Sequence, residues 1–395
     1  MNRNSLPVFL NRLIDRLADA PSSPLGRLAA RRYGKPVLGC DTTHFEEAPV
    51  RVLIAPVNYS GQAHAWARSL EVSDPSVSAR NFAIDVPGGF SFDADLVVPV
   101  PTYHNDQDWQ QRQLLASAQA THFLIEAEEP PFGRLFGRSL ARQASAIEKA
   151  GTSVAYMAHG TDARLPSRHI EDNPLSYYLS PTVYLPRAEE LAARNIAYLE
   201  RTGRPIFVST PDLLKDLPLA HWCPVVVDPS RWEVARSPRK PGAPLRVAHA
   251  PSVAAVKGTD LILPTLEKLQ REGVIEFNLI QGVPSGEMPL AFAQADVLID
   301  QFRSASYGVA ACEAMAAGCV VTGQVGDYVR DVVKSTTGAD LPIIESTPDS
   351  LESVLRSLAA DSSLQTLSEQ SISFVREVHD GRLSAQTLFT HWIKR

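Results

Sequence analysis

Apolar residues in this chain fall into short runs that alternate with longer stretches of helical spacing. The runs lie at 51–57, 81–86, 95–100, 121–126, 153–158 and 206–209, then again at 245–250, 275–280, 296–300 and 319–322. Helical periodicity separates most of them, at 62–70, 109–120, 138–150, 187–201, 258–271, near 287–294 and at 307–317. Further helices are expected at 349–359, 364–379 and, beyond Gly381, 384–394. Continuous apolar strands that alternate with helices belong to parallel sheets covered on both faces. The expected fold class is therefore α/β, with two Rossmann-like doubly wound domains.

Residues 229–244, PSRWEVARSPRKPGAP, are rich in proline and charge and are expected to link the domains. The division is then 1–45 for an N-terminal helix and loop, 46–228 for the first domain, 245–380 for the second and 381–395 for a final helix. In 6–19, Leu6, Phe9, Leu10, Leu13, Ile14 and Leu17 repeat at helical spacing, and 21–26 is expected to be a loop. Residues 1–35 carry seven Lys and Arg against Asp15 and Asp19. The helix is expected to lie on its own domain, because its polar face is not strongly cationic. A peripheral membrane or partner contact is the other arrangement.

Composition narrows the function classes. At 395 residues the chain exceeds one ordinary core, and its 44% hydrophobic and 21% charged residues are those of a globular protein. A net charge of −6 does not recommend nucleic acid as the main partner. Cys40, Cys223, Cys312 and Cys319 lack metal spacing, so reduced thiols in a cytoplasmic protein are expected. The start has neither a spanning apolar run nor the plan of a secretory signal.

Candidate chemistry sits where strands end. After 245–250 the loop closes on Lys257-Gly258-Thr259-Asp260, and Tyr307-Gly308-Val309 opens a helix carrying Glu313. A helix N-terminus presents free N–H groups and a positive dipole end to an anion, and the pair of units suits a diphosphate. In the first domain, Asn58 to Gly61 follow a strand, and His159-Gly160-Thr161-Asp162-Ala163-Arg164 follow another. Ligands bind at such strand ends. Neither GxGxxG nor GxxxxGK[ST] nor a GxSxG elbow is present.

These elements resemble the C-terminal half of a family 4 glycosyltransferase of the type-B fold, in which Lys-Gly closes one loop and a Glu-x7-Glu element ends in EAMA and a glycine. Lys257 matches that Lys, and Glu313 in CEAMAAG matches the second Glu. The first Glu falls on Ala305, and Val253–Ala255 stands where an Arg usually precedes the Lys, with Arg303 a substitute charge nearby. Both departures bear on donor affinity and identity. HGTDAR resembles the HG(S/T)D-x-R segment that faces the cleft in related enzymes.

The resemblance implies a retaining transfer of sugar from a nucleotide-diphospho-sugar, UDP- or GDP-linked, to a hydroxyl acceptor on a glycan or small molecule. It implies no cofactor and no metal. Lys257, His159 and Asp162 would be catalytic. Gly61, Ser252, Lys257, Gly258, Gly282, Tyr307, Gly308, Val309 and Glu313 would hold the donor, and Asn58 and Arg164 the acceptor. The implied setting is polysaccharide or glycoconjugate synthesis in the cytoplasm or at the inner membrane face. A non-catalytic partner subunit, a sugar-nucleotide epimerase and a two-domain solute-binding protein are the alternatives.

Overall fold

The computed structural model describes residues 3–21, 23–86, 92–240, 242–360 and 363–394. Pro241 of the expected linker and Arg395 of the final helix lie outside them.

Two all-parallel sheets organise the chain. The first uses β1 (Val50–Ala55), β2 (Val77–Asp85), β3 (Leu96–Pro99), β4 (His122–Glu126), β5 (Ser153–Ala158), β6 (Ile206–Val208) and β7 (His221–Trp222), in the order β3-β2-β1-β4-β5-β6-β7. The second uses β8 (Leu245–His249), β9 (Ile275–Leu279), β10 (Val297–Ile299), β11 (Val320–Gly323) and β12 (Ile344–Glu345), in the order β12-β11-β10-β8-β9. Strand order reverses between β1 and β4 in one sheet and between β8 and β10 in the other. At such a switch point adjacent loops diverge and leave a crevice outside the carboxyl ends of the strands. Val52 to Ala55 and Phe123 to Ile125 are fully buried, which explains their unbroken apolar character.

The chain leaves the first sheet through residues that pack closely. Trp232 stacks on Phe292 at 5.8 Å, and the Arg236 guanidinium donates to the carbonyls of Ala317 and Ala295. It returns through Leu364–Phe374 and a π-helical turn, Val375–His379, where the Val227 N–H donates to the His379 carbonyl at 2.8 Å. Ala385, Leu388, Phe389, Trp392 and Ile393 then join Val52, Ile54, Trp66 and Leu70 in one apolar cluster of the first domain. Gly381 makes that turn possible. Its φ is +97°, and a Cβ there would come within 2.2 Å of Ser69 Oγ.

Several local expectations need correction. The stretch expected as a loop at 21–26 gives way at Pro24 to a helix, α2 (Pro24–Ala30), capped by Ser23 Oγ accepting from the Gly26 N–H. Asp327–Thr337 forms a helix that periodicity did not single out. The largest departure is α1 (Val8–Asp19): its polar face packs inward and its apolar face points out. Asn11 is its one buried residue among those described, while Phe9 is 69% exposed. Ion pairs draw the polar face in, with Arg187 and Arg194 reaching Asp19 at 2.6 and 2.9 Å.

Gly381→Ala is expected to destabilise the protein by about 1–3 kcal/mol, the usual size of a forced left-handed residue. Thermal unfolding would register this as a lower midpoint; an unchanged midpoint would show that the return segment is not tightly docked.

Candidate active site

The second domain's switch point builds the more complete half of the site. After β8, His249 is fully buried: Nδ1 faces the Ile299 carbonyl and Nε2 faces Thr259 Oγ1, each at 2.8 Å. The carbonyl requires an N–H at Nδ1, so Nε2 accepts from Thr259 and the ring is a neutral rivet between β8, β10 and the helix Thr259–Arg271. Gly258 precedes that helix with φ +79°, and a Cβ there would meet Leu261 and Phe302 at 3.3 and 3.4 Å. The turn before it aims Lys257 across to Asp300 at the end of β10, where Nζ donates to Oδ1. This pair is nearly buried, its side chains 12% and 4% exposed.

The loop after β10 is tied to the same turn. The Phe302 N–H donates to the Lys257 carbonyl at 3.1 Å. Arg303, expected as a free charge, is instead spent on Asp260 at 2.7 Å and on the Ala255 carbonyl. Gly308 then caps the helix Val309–Ala316 without a side-chain bond, leaving the N–H groups of Val309 and Ala310 without an acceptor among the described residues. Tyr307, expected at the donor, has a buried side chain with its hydroxyl 3.2 Å from His379 Nε2.

A cavity of about 210 Å³ opens where these parts meet, lined by Ser252, Lys257, Gly282, Val309, Ala310 and Glu313, with Ser60 and Phe92 from the first domain. Of the expected donor residues, Ser252, Lys257, Gly282, Val309 and Glu313 come together here. Gly61 lines an adjoining cavity of about 480 Å³ that shares Glu313 and contains Arg231. The Glu313 carboxyl has no hydrogen-bond or ionic partner among the described residues. Burial pushes its pKa up to about 7, against smaller downward pulls from Arg231 and Lys257.

In the first domain, Glu126 at the end of β4 accepts from the N–H groups of Val57 and Asn58, and its other oxygen lies 3.2 Å from His159 Nε2. The His159 ring lies over Trp66 and takes Tyr59 at its edge. Asp162 turns back on its own loop, accepting from the His159 and Gly160 N–H groups at 2.8 and 2.5 Å. Asn58, expected at the acceptor, is buried in the left-handed region and bonds the Asp93 carbonyl and the His64 N–H. Arg164 was expected at the acceptor. It is buried, with two nitrogens on Asp212 and a third on the Tyr177 hydroxyl, and it walls a polar recess of about 260 Å³ that Ala305 also lines.

Three charged groups were missed in the sequence. Arg231 lay hidden in the proline- and charge-rich linker. Asp300 was read only as a strand end. Glu128, whose backbone is left-handed and whose oxygens have no hydrogen-bond partner among the described residues, is pushed well above the carboxylate range by burial and by Asp162. The repeated glutamates after β4 were the available signal.

Two doubly wound parallel domains with strand ends facing across a cleft are the type-B glycosyltransferase fold. Solved structures share it over most of the chain. Sucrose-phosphate synthase from Thermosynechococcus elongatus superposes with a TM-score of 0.56 at 10% identity, covering 86% of this chain and 98% of that one. HepE from Anabaena, in complex with UDP and glucose, gives 0.53 at 10% identity, over 86% and 99%. The catalytic domain of starch synthase IV from Arabidopsis thaliana, bound to ADP and acarbose, gives 0.53 at 10% identity, over 88% and 100%. No family model matches the sequence, and no curated protein matches it.

Glu313 gives a pH signature. Its carboxyl binds a proton more tightly in the folded chain, about 7 against 4.5, so its stabilising contribution is full below pH 4.5 and is lost as pH rises through 7. Glu313→Gln should therefore gain on the parent protein across that window, by up to roughly 3 kcal/mol above it. Thermal midpoints of both proteins between pH 5 and 8 check this; parallel curves would contradict it.

Proposed function

We propose that this protein is a retaining, metal-independent glycosyltransferase that moves a sugar from a nucleotide-diphospho-sugar to a hydroxyl acceptor. The observation that carries this reading is the cleft at the second switch point. There a lysine, the open N-terminus of the helix Val309–Ala316 and an unpartnered glutamate converge. The fold supports it, and so do neighbours whose structures hold UDP or ADP.

The chemical task is to stabilise a departing diphosphate while positive charge builds on the sugar. Lys257 and the N–H groups of Val309 and Ala310 would face the phosphate oxygens, and Arg231 would add a cation from the linker side. One such preorganised donor contributes about 3 kcal/mol to a developing oxyanion. Asp300 holds Lys257 in place while the site is empty. Glu313, unpartnered in the empty cleft, would accept from ribose hydroxyls.

His159, fixed by Glu126, would meet the transferred sugar or acceptor, while Asp162 and Arg164 position the loop and the recess wall without touching substrate. The acceptor's proton would pass to the leaving phosphate oxygen on the same face, and domain closure would exclude water. The alternative with specific support is a non-catalytic subunit, because Asp300 already neutralises Lys257 and Ala305 presents no carboxylate.

Calorimetry with UDP, GDP and ADP separates the two. One nucleotide is expected to bind, with affinity falling at least about tenfold in Glu313→Ala and in Lys257→Met/Asp300→Asn. The double change is needed because Lys257→Ala alone leaves a buried carboxylate unpaired, which costs about 3–5 kcal/mol. If no nucleotide binds to the folded parent protein, the donor site is dismantled and the scaffold reading replaces this one.

A further inference from the structure

An amphipathic helix in a globular protein normally buries its apolar face. Here α1 does the opposite, and α2 continues the pattern. Phe9, Leu13, Leu25, Leu28 and Leu38 are 69%, 51%, 60%, 57% and 91% exposed, and Val8, Ile14 and Leu17 are exposed beside them. Large exposed apolar patches mark interaction sites.

The inward face explains why the helix is held this way round. Asp15 is taken by Arg3 at 2.8 Å and by Arg187, and Asp19 by Arg187 and Arg194. Asn4 donates to the carbonyls of Pro181 and Val183, and the Arg3 guanidinium lies 4.3 Å from the Tyr184 ring centroid. Both carboxylates of α1 are thus spent on the body of the protein. On the outer side Arg12, Arg16, Arg31 and Lys35 are exposed, and none of them pairs with a carboxylate among the described residues.

Between α1, α2 and the body runs a groove of about 510 Å³, lined by Ile14, Leu17 and Leu25 on one side and Arg32, Arg134 and Arg138 on the other. Arg134 donates to the Pro21 and Gly26 carbonyls and has no carboxylate partner among the described residues. Only Arg138 is neutralised, by Glu129. Burial and the guanidiniums of Arg138, Arg134 and Arg32 hold His104 down to about 4, so the groove's field is cationic while its outer lip is apolar. Apolar side chains ringed by unpaired cations complement an anionic amphiphile surface rather than the same face of a second copy, which would set like charges against each other.

We propose that residues 3–21 and 23–38 form a docking surface for an anionic lipid bilayer. Phe9, Leu13, Leu17, Leu25 and Leu28 enter the acyl boundary, while Arg12, Arg16, Arg31 and Lys35 meet headgroup phosphates and the groove takes one headgroup between Arg32 and Arg134. The surface lies on the first domain and shares no lining residue with the donor cavity.

The test is flotation of the full-length protein with vesicles of phosphatidylcholine alone and with vesicles containing about one third phosphatidylglycerol. Partitioning is expected to be at least about tenfold stronger on the anionic vesicles and to weaken as salt is raised. Leu13→Gln/Leu17→Gln and Arg12→Glu/Arg16→Glu should each lose at least about tenfold. Both should keep the parent's unfolding midpoint, since these side chains are exposed in the folded chain. Three results would overturn the proposal: no flotation of the parent protein with either vesicle, equal flotation with both, or a dimer in light scattering that Leu13→Gln/Leu17→Gln splits.

Discussion

The buried ion pair between Lys257 and Asp300 is the constraint on which the site depends. Bringing both charges out of water costs several kcal/mol per ion before their attraction returns any of it, so such a pair adds little to stability. What it supplies is registration. It joins the loops after β8 and β10 at the point where strand order reverses, and the Phe302 N–H bond to the Lys257 carbonyl locks the same two segments through the backbone. With those loops fixed, the helix Val309–Ala316 has one place to begin, and its open N–H groups face the space that Lys257 borders.

Preorganisation of this kind leaves charge unsatisfied. Glu313 and Glu128 have no hydrogen-bond partner for their carboxyls among the described residues, one in each domain, and burial raises both above the carboxylate range. A chain selected only for stability would place apolar or paired groups there, because a buried polar group without a partner costs about 1–3 kcal/mol. Glu313 lies in the cleft beside Lys257 and Arg231, where a polyhydroxy ligand can supply the missing bonds. Glu128 lies instead near Asp162, Tyr59 and Tyr198 in the first domain.

Much of the fold was legible because each signal was local. Unbroken apolar runs such as that at β5, periodic segments such as that at Leu185–Thr202, and the glycines before helices all reflect neighbours along the chain. Lys257 and Glu313 were legible for the same reason, each sitting at a fixed offset from a glycine that the turn needs. Long-range pairing was not legible. Nothing near Arg303 announces that Asp260 and the Ala255 carbonyl will claim it, nor near Tyr307 that His379, far along the chain, will take its hydroxyl. Asn58 looked available because asparagine suits both a ligand contact and a left-handed turn, and the second use won. Arg231 was obscured by composition, since a stretch rich in proline and charge reads as a connector whichever of its residues later faces a cleft.

The first helix shows a different limit of the pattern. Periodicity states that two faces differ; it does not state which one turns inward. In α1 the side that turns inward carries Asp15 and Asp19, which meet Arg187 and Arg194, and Phe9, Leu13 and Leu17 are left outside. An exposed ion pair alone is worth no more than about 1 kcal/mol, but here several share Asp15 and Asp19 as a network. The Asn11 bonds to the Arg3 and Leu6 carbonyls reinforce it. The helix is therefore fixed polar side down, and the free energy left in its apolar face is available only to something outside the chain.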